Sequence, residues 1–363
     1  MRALSLGACA SILVAALAGA DASPADPVDA PRICPCTGQP DSAPPAFPAV
    51  NDPCTLSAPD LDDLTMTMSH DTNELIVVSG ASTGMGAATA RELALRGYQV
   101  LAGVRRESDG DPLRTERIEP IILDITRPAD IAGVAARVAA DPFGRRLRAV
   151  VNNAAIAINA PVETLPIDEW RRLFEVNLFG HIALTQALLP ALHLSKGRVV
   201  NISSVGGKVS MATYGAYAAT KFALEAVSDS LRRELAPFGV QVVVVEPGGV
   251  QTEMAGRGAS STALLADDMT PEQRSRYGDL LHAVITQQAA YTRSGMSAER
   301  AARVIATATT TARPRTRYVV GRDASMLSLL AFIVPDRTLD RILAWNLRPH
   351  YPKRGSGEAR GEP

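Results

Sequence analysis

The amino-acid sequence predicts an α/β fold in which a doubly wound parallel sheet forms a single domain. From residue 73 to about residue 252, β-rich runs that are apolar on both faces alternate with stretches of helical periodicity, a pattern typical of a sheet covered by helices on both sides. Several of these runs end in glycine or in polar side chains. In open parallel sheets, ligands bind at that edge.

The composition supports a folded chain and excludes some partners. With 46% hydrophobic and 21% charged residues among 363, the chain has ample apolar surface for a core. The formal net charge of -1 gives no electrostatic reason to expect a nucleic-acid partner. We also expect no metal site, because no histidine accompanies the four cysteines. These cysteines are Cys9, Cys34, Cys36 and Cys54.

Residues 1–65 have the composition of an extension outside the fold. The opening "MRALSLGACASILVAALAGADA" resembles a signal peptide, with Arg2 ahead of an apolar run and a small-residue cleavage site at its end. Residues 21–60 hold 10 of the 25 prolines, which favours disorder. Alternatively, translation starts at Met66 or Met68 and residues 1–65 are a start-site artefact. Both interpretations stay open.

The first organised unit is "NELIVVSGASTGMGAATARELALRGYQVLAGVRR", residues 73–106. Leu75 to Ser79 is predicted as a buried strand, Ala87 to Leu95 as a helix, and Tyr98 to Val104 as a second strand. The turn between the first strand and the helix contains three glycines. A glycine turn allows a diphosphate to approach the free N–H groups of the helix N-terminus.

Four later strands end in residues that we expect at the same edge of the sheet. Helices are predicted between them, over Ile167 to Leu178 and Ile182 to Leu192. The strand ends are "IILDIT" at Asp124, "LRAVVNNAAI" at Asn152 and Asn153, "GRVVNISSV" at Ser203 and Ser204, and "VQVVVVEPGGVQT" at Pro247 and Gly248.

These motifs, in this order, resemble the short-chain dehydrogenase/reductase family over about residues 73–255. The glycine motif is "SGASTGMG", with Ser79 in place of the usual threonine, and the Asn-Asn-Ala-Gly motif is "NNAA", with Ala155 in place of glycine. The stretches "KFALEAVSDSLRRELAPFGVQVVVVEPGGVQTEM" and "RTRYVVGRDA" resemble the branch that includes retinol and 17β-hydroxysteroid dehydrogenases. The resemblance implies a Rossmann fold with a single catalytic domain, residues 66–351.

The resemblance also implies a catalytic set in "TYGAYAATKFALEA". The family motif is Tyr-x-x-x-Lys with a serine thirteen residues before the tyrosine. Only Tyr217 satisfies it, because Lys221 follows by four residues and Ser204 precedes by thirteen; Tyr214 does not. By resemblance, Tyr217 is the acid/base, Lys221 favours its phenolate and binds the nicotinamide ribose, and Ser204 holds the substrate oxygen. Asn177, in "FEVNLFG", fixes a water that relays protons.

The end of the second strand predicts NADP as the cofactor, with NAD as the alternative. Val104 occupies the position that is acidic in NAD-specific relatives, and Arg105 and Arg106 follow. An arginine suits a 2'-phosphate by charge and geometry; Arg106 has the alternative interpretation of a surface arginine without a ligand. The full set of implied cofactor contacts is Gly80, Ser82, Gly84, Met85, Gly86, Arg105, Asp124, Ile125, Asn153, Tyr217, Lys221, Val250 and Thr252.

The function predicted is interconversion of an alcohol and a ketone or aldehyde on a small to medium apolar substrate, retinoid-, steroid- or lipid-like. A substrate lid is expected over about residues 253–297. The alternatives are a 3-oxoacyl-thioester reductase, which needs a basic patch near the cleft, and a non-catalytic NADP-sensing module. The run "MLSLLAFIVPDRTLDRILAW" is expected to pack on the body or on a dimer edge, with a membrane-surface helix as the alternative.

Location and assembly are predicted from the same reasoning. We expect a homodimer or homotetramer, no membrane span in the catalytic domain, and a disordered tail over residues 352–363. A diffusible nicotinamide cofactor argues for the cytoplasm. The signal-like start argues instead for export or membrane association.

Overall fold

The structure is a computed structural model that describes residues 72–352. The predictions for residues 1–65, including the signal-like start and the cysteines, lie outside the described residues. So does the predicted tail, apart from Pro352.

A seven-stranded parallel sheet forms the centre of the described chain, with the strand order β3-β2-β1-β4-β5-β6-β9. The order reverses direction next to β1, which creates a crevice at the carboxyl ends of β1 and β4. The fold class predicted from the sequence is confirmed. The strands are β1 Glu74–Val78, β2 Gln99–Val104, β3 Ile118–Ile122, β4 Arg146–Asn152, β5 Arg198–Ile202, β6 Gln241–Pro247 and β9 Arg317–Val320; β7 Val250–Gln251 and β8 Met296–Ser297 form a separate parallel pair.

The central strands are apolar on both faces because both faces are covered. In β1, Leu75 and Val77 point into one core cluster while Ile76 and Val78 point into the other, and all four are 0% exposed. The helices are α1 Gly84–Leu95, α2 Pro128–Ala139, α3 Ile167–Phe174, α4 Gly180–Ser195, α5 Gly215–Leu235, α6 Glu253–Asp267, α7 Pro271–Ser294, α8 Ala298–Thr310, α9 Arg322–Ile333 and α10 Asp336–Leu347.

The helices divide between the two faces of the sheet. α1 and α8 pack on one face, through Ala90, Leu93 and Ile305 among others, and α2, α4 and α5 contribute Val134, Leu188 and Leu235 to the other. This two-sided cover is the doubly wound arrangement that the alternating sequence pattern predicted.

The helix prediction over residues 167–192 was incomplete. Instead of two helices with a break, α3 continues through a π-helical segment, Glu175–Phe179, directly into α4. A π-segment inserts one residue into the helical repeat, and such segments are frequent at functional sites. Asn177 lies in this segment.

By length and composition, the continuous helix Ile167–Ser195 is the one helix among residues 72–352 that meets the criterion for crossing a membrane, since an 18-residue window within it has a mean hydropathy of 1.2. Its apolar residues Leu184, Leu188 and Leu192 are nevertheless buried in the core beside the sheet. A core helix has the same composition, so this helix is weak evidence for a membrane span.

The predicted lid region and the C-terminal run are both helical. α6 and α7 account for most of residues 253–297, and α7 begins with a capping box between Thr270 and Gln273. α9 and α10 are separated at Pro335; their inner residues Leu327 and Leu343 pack near Val205, whereas Phe332 is 88% exposed.

Candidate active site

A cleft of about 1480 Å³ opens at the carboxyl ends of β1, β2, β4, β5 and β6. Pockets for a single small ligand are smaller, roughly 300–1,000 Å³, so this cleft has room for a large cofactor and a second molecule. All of the site residues predicted from the sequence line this cleft, with the exception of Asn177.

The glycine turn between β1 and α1 forms one end of the cleft. Gly80 has φ +64°, a conformation that favours glycine. A Cβ on Gly86 would lie 2.2 Å from the Gly80 carbonyl oxygen and 2.5 Å from Nδ2 of Asn153, so no side chain fits there. Thr83 makes no side-chain cap at the start of α1, and the first turn carries no acidic residue. The turn therefore has the geometry and the electrostatic bias of an anion site.

Ser79 and Asn153 hold this turn against the end of β4. The Ser79 hydroxyl accepts hydrogen bonds from the main-chain N–H groups of Asn153, at 3.0 Å, and of Ala154, at 3.1 Å. The Asn153 amide donates to the carbonyls of Ser79 and Gly80, both at 3.0 Å. Serine thus keeps the hydroxyl that this position needs, and the Asn153 amide braces the turn.

At the end of β2, the two arginines have different surroundings. Arg106 is paired with Asp109 through two hydrogen bonds, of 3.1 and 3.0 Å. Arg105 lines the cleft, is exposed, and has no hydrogen-bond or ion-pair partner within residues 72–352. The nearby Asp124 carboxylate accepts from the Thr126 N–H and hydroxyl. Arg105 is therefore the arginine available to an anionic ligand.

Tyr217 and Ser204 both line the cleft, and their side chains are hydrogen-bonded to each other. Ser204 follows β5 and its hydroxyl accepts a hydrogen bond from the Gly206 N–H at 3.0 Å. Burial raises the pKa of Tyr217 to about 12, and a hydrogen bond with Ser204 opposes this rise. Tyr217 is consequently protonated at neutral pH and suited to donate a proton.

Lys221 lies one helical turn after Tyr217 on α5 and is 2% exposed. Its ammonium nitrogen donates to the main-chain oxygen of Ile202 at 2.9 Å. Burial lowers the pKa of Lys221 to about 8, while the charge of Glu225 acts in the opposite direction. The role of Lys221 in favouring the Tyr217 phenolate stays a prediction; the largest influence on the Tyr217 pKa within residues 72–352 is burial.

Asn177 lies behind the cleft wall and is 0% exposed. Its Oδ1 accepts from the Ile156 N–H at 2.9 Å, and its Nδ2 donates to the Ile156 carbonyl at 2.9 Å and to the Thr220 hydroxyl at 3.2 Å. The Thr220 hydroxyl in turn donates to the Tyr217 carbonyl. Asn177 therefore links the π-segment to the loop after β4 and to the helix that carries Tyr217.

The sequence analysis missed four polar residues of the cleft. Asp323, at the start of α9, accepts hydrogen bonds from the Gly249 N–H at 3.1 Å and from the Tyr291 hydroxyl. Asn159, in the loop after β4, donates to Gln288 on α7 at 3.1 Å. The only sequence signal was the position of Asp323 in "RTRYVVGRDA", since the other three have no motif around them.

The part of the cleft next to Tyr217 is predominantly apolar. Its wall is supplied by the loop after β4, by the segment between β5 and α5, and by α6, α7, α9 and α10. The apolar residues are Ile156, Ile158, Met211, Met254, Leu280, Val284, Leu327, Leu330, Leu343 and Leu347. Among residues 72–352 there is no group of three or more His, Cys, Asp or Glu side chains that could hold a metal ion.

Comparison with known proteins gives matches to short-chain dehydrogenases and retinol dehydrogenases. The family model described as short chain dehydrogenase matches residues 74–262. Retinol dehydrogenase 5 of Mus musculus is 38% identical over 281 residues, which cover 75% of this chain and 88% of the mouse protein. The NADPH-dependent 3-dehydrocapnine reductase of Ornithobacterium rhinotracheale is 31% identical over 280 residues, 75% of this chain and 96% of that protein.

Solved structures that match this fold include short-chain dehydrogenases. The crystal structure of a short-chain dehydrogenase from Streptomyces avermitilis matches with a TM-score of 0.60 at 32% identity, over 76% of this chain and 97% of that one. The resemblance inferred from the sequence motifs is confirmed.

Proposed function

The chain belongs to the short-chain dehydrogenase family, in its retinol dehydrogenase-like branch, and from this premise we propose that it is an NADP-preferring oxidoreductase that interconverts an apolar alcohol and the corresponding ketone or aldehyde. One observation carries the proposal. The Tyr217 hydroxyl, supported by Ser204, lies in the wall of a cleft whose other end is an anion-binding glycine turn.

The residues of the glycine turn fit a nicotinamide dinucleotide. The N–H groups at the start of α1 would hold the diphosphate, since Gly86 leaves no side chain in the way and Thr83 does not cap the helix. Asp124 and Ile125 would flank the adenine, and Val250 and Thr252 would contact the carboxamide. When bound, the cofactor supplies or accepts the hydride.

The side chains around Tyr217 would manage the proton. In carbonyl reduction, Tyr217 donates its phenolic proton to the developing alkoxide, which its pKa of about 12 permits at neutral pH. Ser204 hydrogen-bonds the same substrate oxygen and orients it toward Tyr217. Lys221, when protonated, compensates the negative charge that this transfer leaves on the phenolate.

Asn177 would contribute indirectly, because its side chain holds neighbouring segments of the chain in place. Both hydrogens of its amide are engaged, by Ile156 and Thr220. We therefore assign the water-holding role expected from the resemblance to the main chain of the π-segment, with the Asn177 side chain fixing that segment in place.

NADP preference is supported by Arg105. Its guanidinium has no partner in the described chain and lines the cleft at the end of β2, next to the buried Val104. A 2'-phosphate would give it a charge-assisted contact. The NADPH-dependent relative from Ornithobacterium rhinotracheale supports the same preference.

The apolar wall supports a bulky apolar substrate, retinoid-, steroid- or lipid-like. A carrier-bound 3-oxoacyl thioester stays the alternative, because Arg171 and Arg172 at the cleft are ion-paired with Asp168 and Glu169, whereas Arg348 lines the cleft without an ion-pair partner in residues 72–352. Free basic side chains would be needed for a phosphate-bearing carrier.

A panel of apolar ketones and alcohols tests the proposal, with NADPH or NADP consumption followed by absorbance. We expect turnover of apolar ketones and little turnover of carrier-bound thioesters. Binding of NADPH without turnover of any carbonyl would instead favour the non-catalytic sensing module.

Cytoplasmic location and a homodimer or homotetramer stay predictions. Sequencing the N-terminus of the native protein tests the first, because a start at Met66 or Met68 supports it and a start after Ala20 outside the cytoplasm contradicts it. Light scattering on the purified chain tests the second.

A further inference from the structure

Three polar side chains meet in the substrate part of the cleft, apart from the proposed catalytic residues. They are Tyr214, which precedes the first residue of α5; Asn159, in the loop after β4; and Gln288, on α7. Asn159 is 1% exposed, and its Nδ2 donates to the Gln288 Oε1 at 3.1 Å. Residues up to 129 positions apart thus form one polar patch in an otherwise apolar wall.

This patch retains unused hydrogen-bonding groups. Oδ1 of Asn159 is buried without a partner among the described residues, and the Gln288 Nε2 likewise has no partner within residues 72–352. Polar groups inside proteins are normally paired, and an unpaired one needs an explanation. A ligand that completes the patch is such an explanation.

The direction of the available hydrogen bonds defines the ligand. Asn159 lies within hydrogen-bonding reach of the Tyr214 hydroxyl, and this hydrogen bond opposes the rise in the Tyr214 pKa that burial causes. The two free amide groups are of opposite kinds, because the Asn159 Oδ1 accepts hydrogen bonds and the Gln288 Nε2 donates them. An acceptor and a donor side by side are suited to a ligand hydroxyl, which can donate to one and accept from the other.

The neighbouring charge disfavours an anion. Tyr291 lines the same cleft as Tyr214 and donates its hydroxyl hydrogen to the Asp323 carboxylate. A carboxylate or phosphate on the ligand would be repelled by Asp323. The group that fits the patch is a neutral oxygen, and best a hydroxyl, because a ketone or ether oxygen would leave the Asn159 Oδ1 unpaired.

The distance to Tyr217 puts both sites within reach of one molecule. The ring centroids of Tyr214 and Tyr217 lie 6.4 Å apart, with an interplanar angle of 81°. A substrate whose reacting oxygen meets Tyr217 is therefore close enough to contact Tyr214 as well.

We propose that Tyr214, Asn159 and Gln288 form a second polar subsite, and that the preferred substrates are apolar carbonyl compounds or alcohols with a second, neutral oxygen. This inference rests on the proposed function, because the subsite selects among molecules that react at Tyr217. Tyr214 then recognises the substrate without taking part in the proton transfer.

The test compares apolar ketones in matched pairs, each pair sharing one carbon skeleton with and without a second keto or hydroxyl group at varied positions. For at least one position, we expect wild-type protein to favour the two-oxygen member in kcat/KM by about tenfold, the effect of one neutral hydrogen bond. In Tyr214→Phe and in Gln288→Leu, this ratio should fall toward one.

Tyr277→Phe is the matched control, because Tyr277 lies near the other end of α7 and its hydroxyl contacts Glu163. It should keep the wild-type ratio. Turnover of one-oxygen ketones with no preference at any position, or equal losses for both members in Tyr214→Phe, would overturn the subsite alone. Absence of turnover for every ketone would overturn the proposed function itself.

Discussion

The Lys221 ammonium nitrogen lies 5.8 Å from the centroid of the Tyr217 ring, on the same face of α5. Both side chains are buried, and burial moves their pKa values toward the neutral forms, to about 8 for Lys221 and about 12 for Tyr217. The pair is therefore held with the phenol protonated and the amine close to its titration range.

Replacing Tyr217 by phenylalanine should abolish turnover while cofactor binding is retained. The ring stays in place but the proton donor is lost, and general acid catalysis typically contributes about 10²- to 10⁴-fold. Steady-state rates and NADPH fluorescence titration measure the two effects. Tyr214→Phe is the control, which should retain turnover of a ketone without a second oxygen. Comparable rates in wild type and Tyr217→Phe would rule out the proposed acid.

Replacing Arg105 by alanine should lower the preference for NADP over NAD. Loss of a charge-assisted hydrogen bond costs about 1.5 to 3 kcal/mol, or roughly 10- to 150-fold in the ratio of kcat/KM values. Arg106→Ala is the control, since Arg106 is paired with Asp109 and should leave the ratio nearly unchanged. An unaltered ratio in Arg105→Ala would refute the assignment.

Replacing Gly86 by alanine should disrupt the cofactor turn. The added Cβ would meet the Gly80 carbonyl oxygen at 2.2 Å, so the turn must shift, at a cost of about 1 to 3 kcal/mol in the free energy of unfolding. Cofactor affinity should fall as well. Urea denaturation and NADPH titration measure both quantities.

Gly133→Ala is the matched control for that substitution. A Cβ on Gly133, in the middle of α2, meets nothing within 4 Å. Alanine there should stabilise the protein by about 0.5 to 1 kcal/mol. If the two alanine variants behaved alike, the steric account of the turn would be wrong.

His181 should make stability depend on pH. It is buried on α4 beside the Ala154 carbonyl, 2.6 Å from its Nε2, and burial lowers its pKa to about 3. Between pH 6.5 and pH 3 the unfolded chain binds a proton that the folded chain does not. Acidification therefore favours unfolding, by up to about 3 kcal/mol from pH 7 to pH 4.

Denaturation of wild type and His181→Gln at pH 7, 5.5 and 4 tests this dependence. The variant should lose less stability than wild type over the range. His193→Gln, which changes an exposed histidine on the same helix, should follow the wild-type curve. Parallel pH dependence in wild type and His181→Gln would exclude His181 as the cause.

The sequence alone predicted the fold class, which the structure confirms, and it also supplied the prediction of the principal site residues, because the signals for both are local. Helical spacing puts Tyr217 and Lys221 on one face, and the glycine turn follows a buried strand directly. The seventh strand, β9, was missed because it is only four residues long and its apolar run, Tyr318 to Val320, is too short to predict a strand.

Only the tertiary structure decided how distant segments complete the site. Periodicity cannot show that the Asn177 side chain is hydrogen-bonded to Ile156 and Thr220. Nor can it show the hydrogen bonds between Asp323 and the Gly249 N–H and between Asn159 and Gln288. The pKa values of Tyr217 and Lys221 depend likewise on desolvation by chain segments far away in sequence. Local spacing determines which side chains share an element, whereas packing between elements determines their partners and their exposure to water.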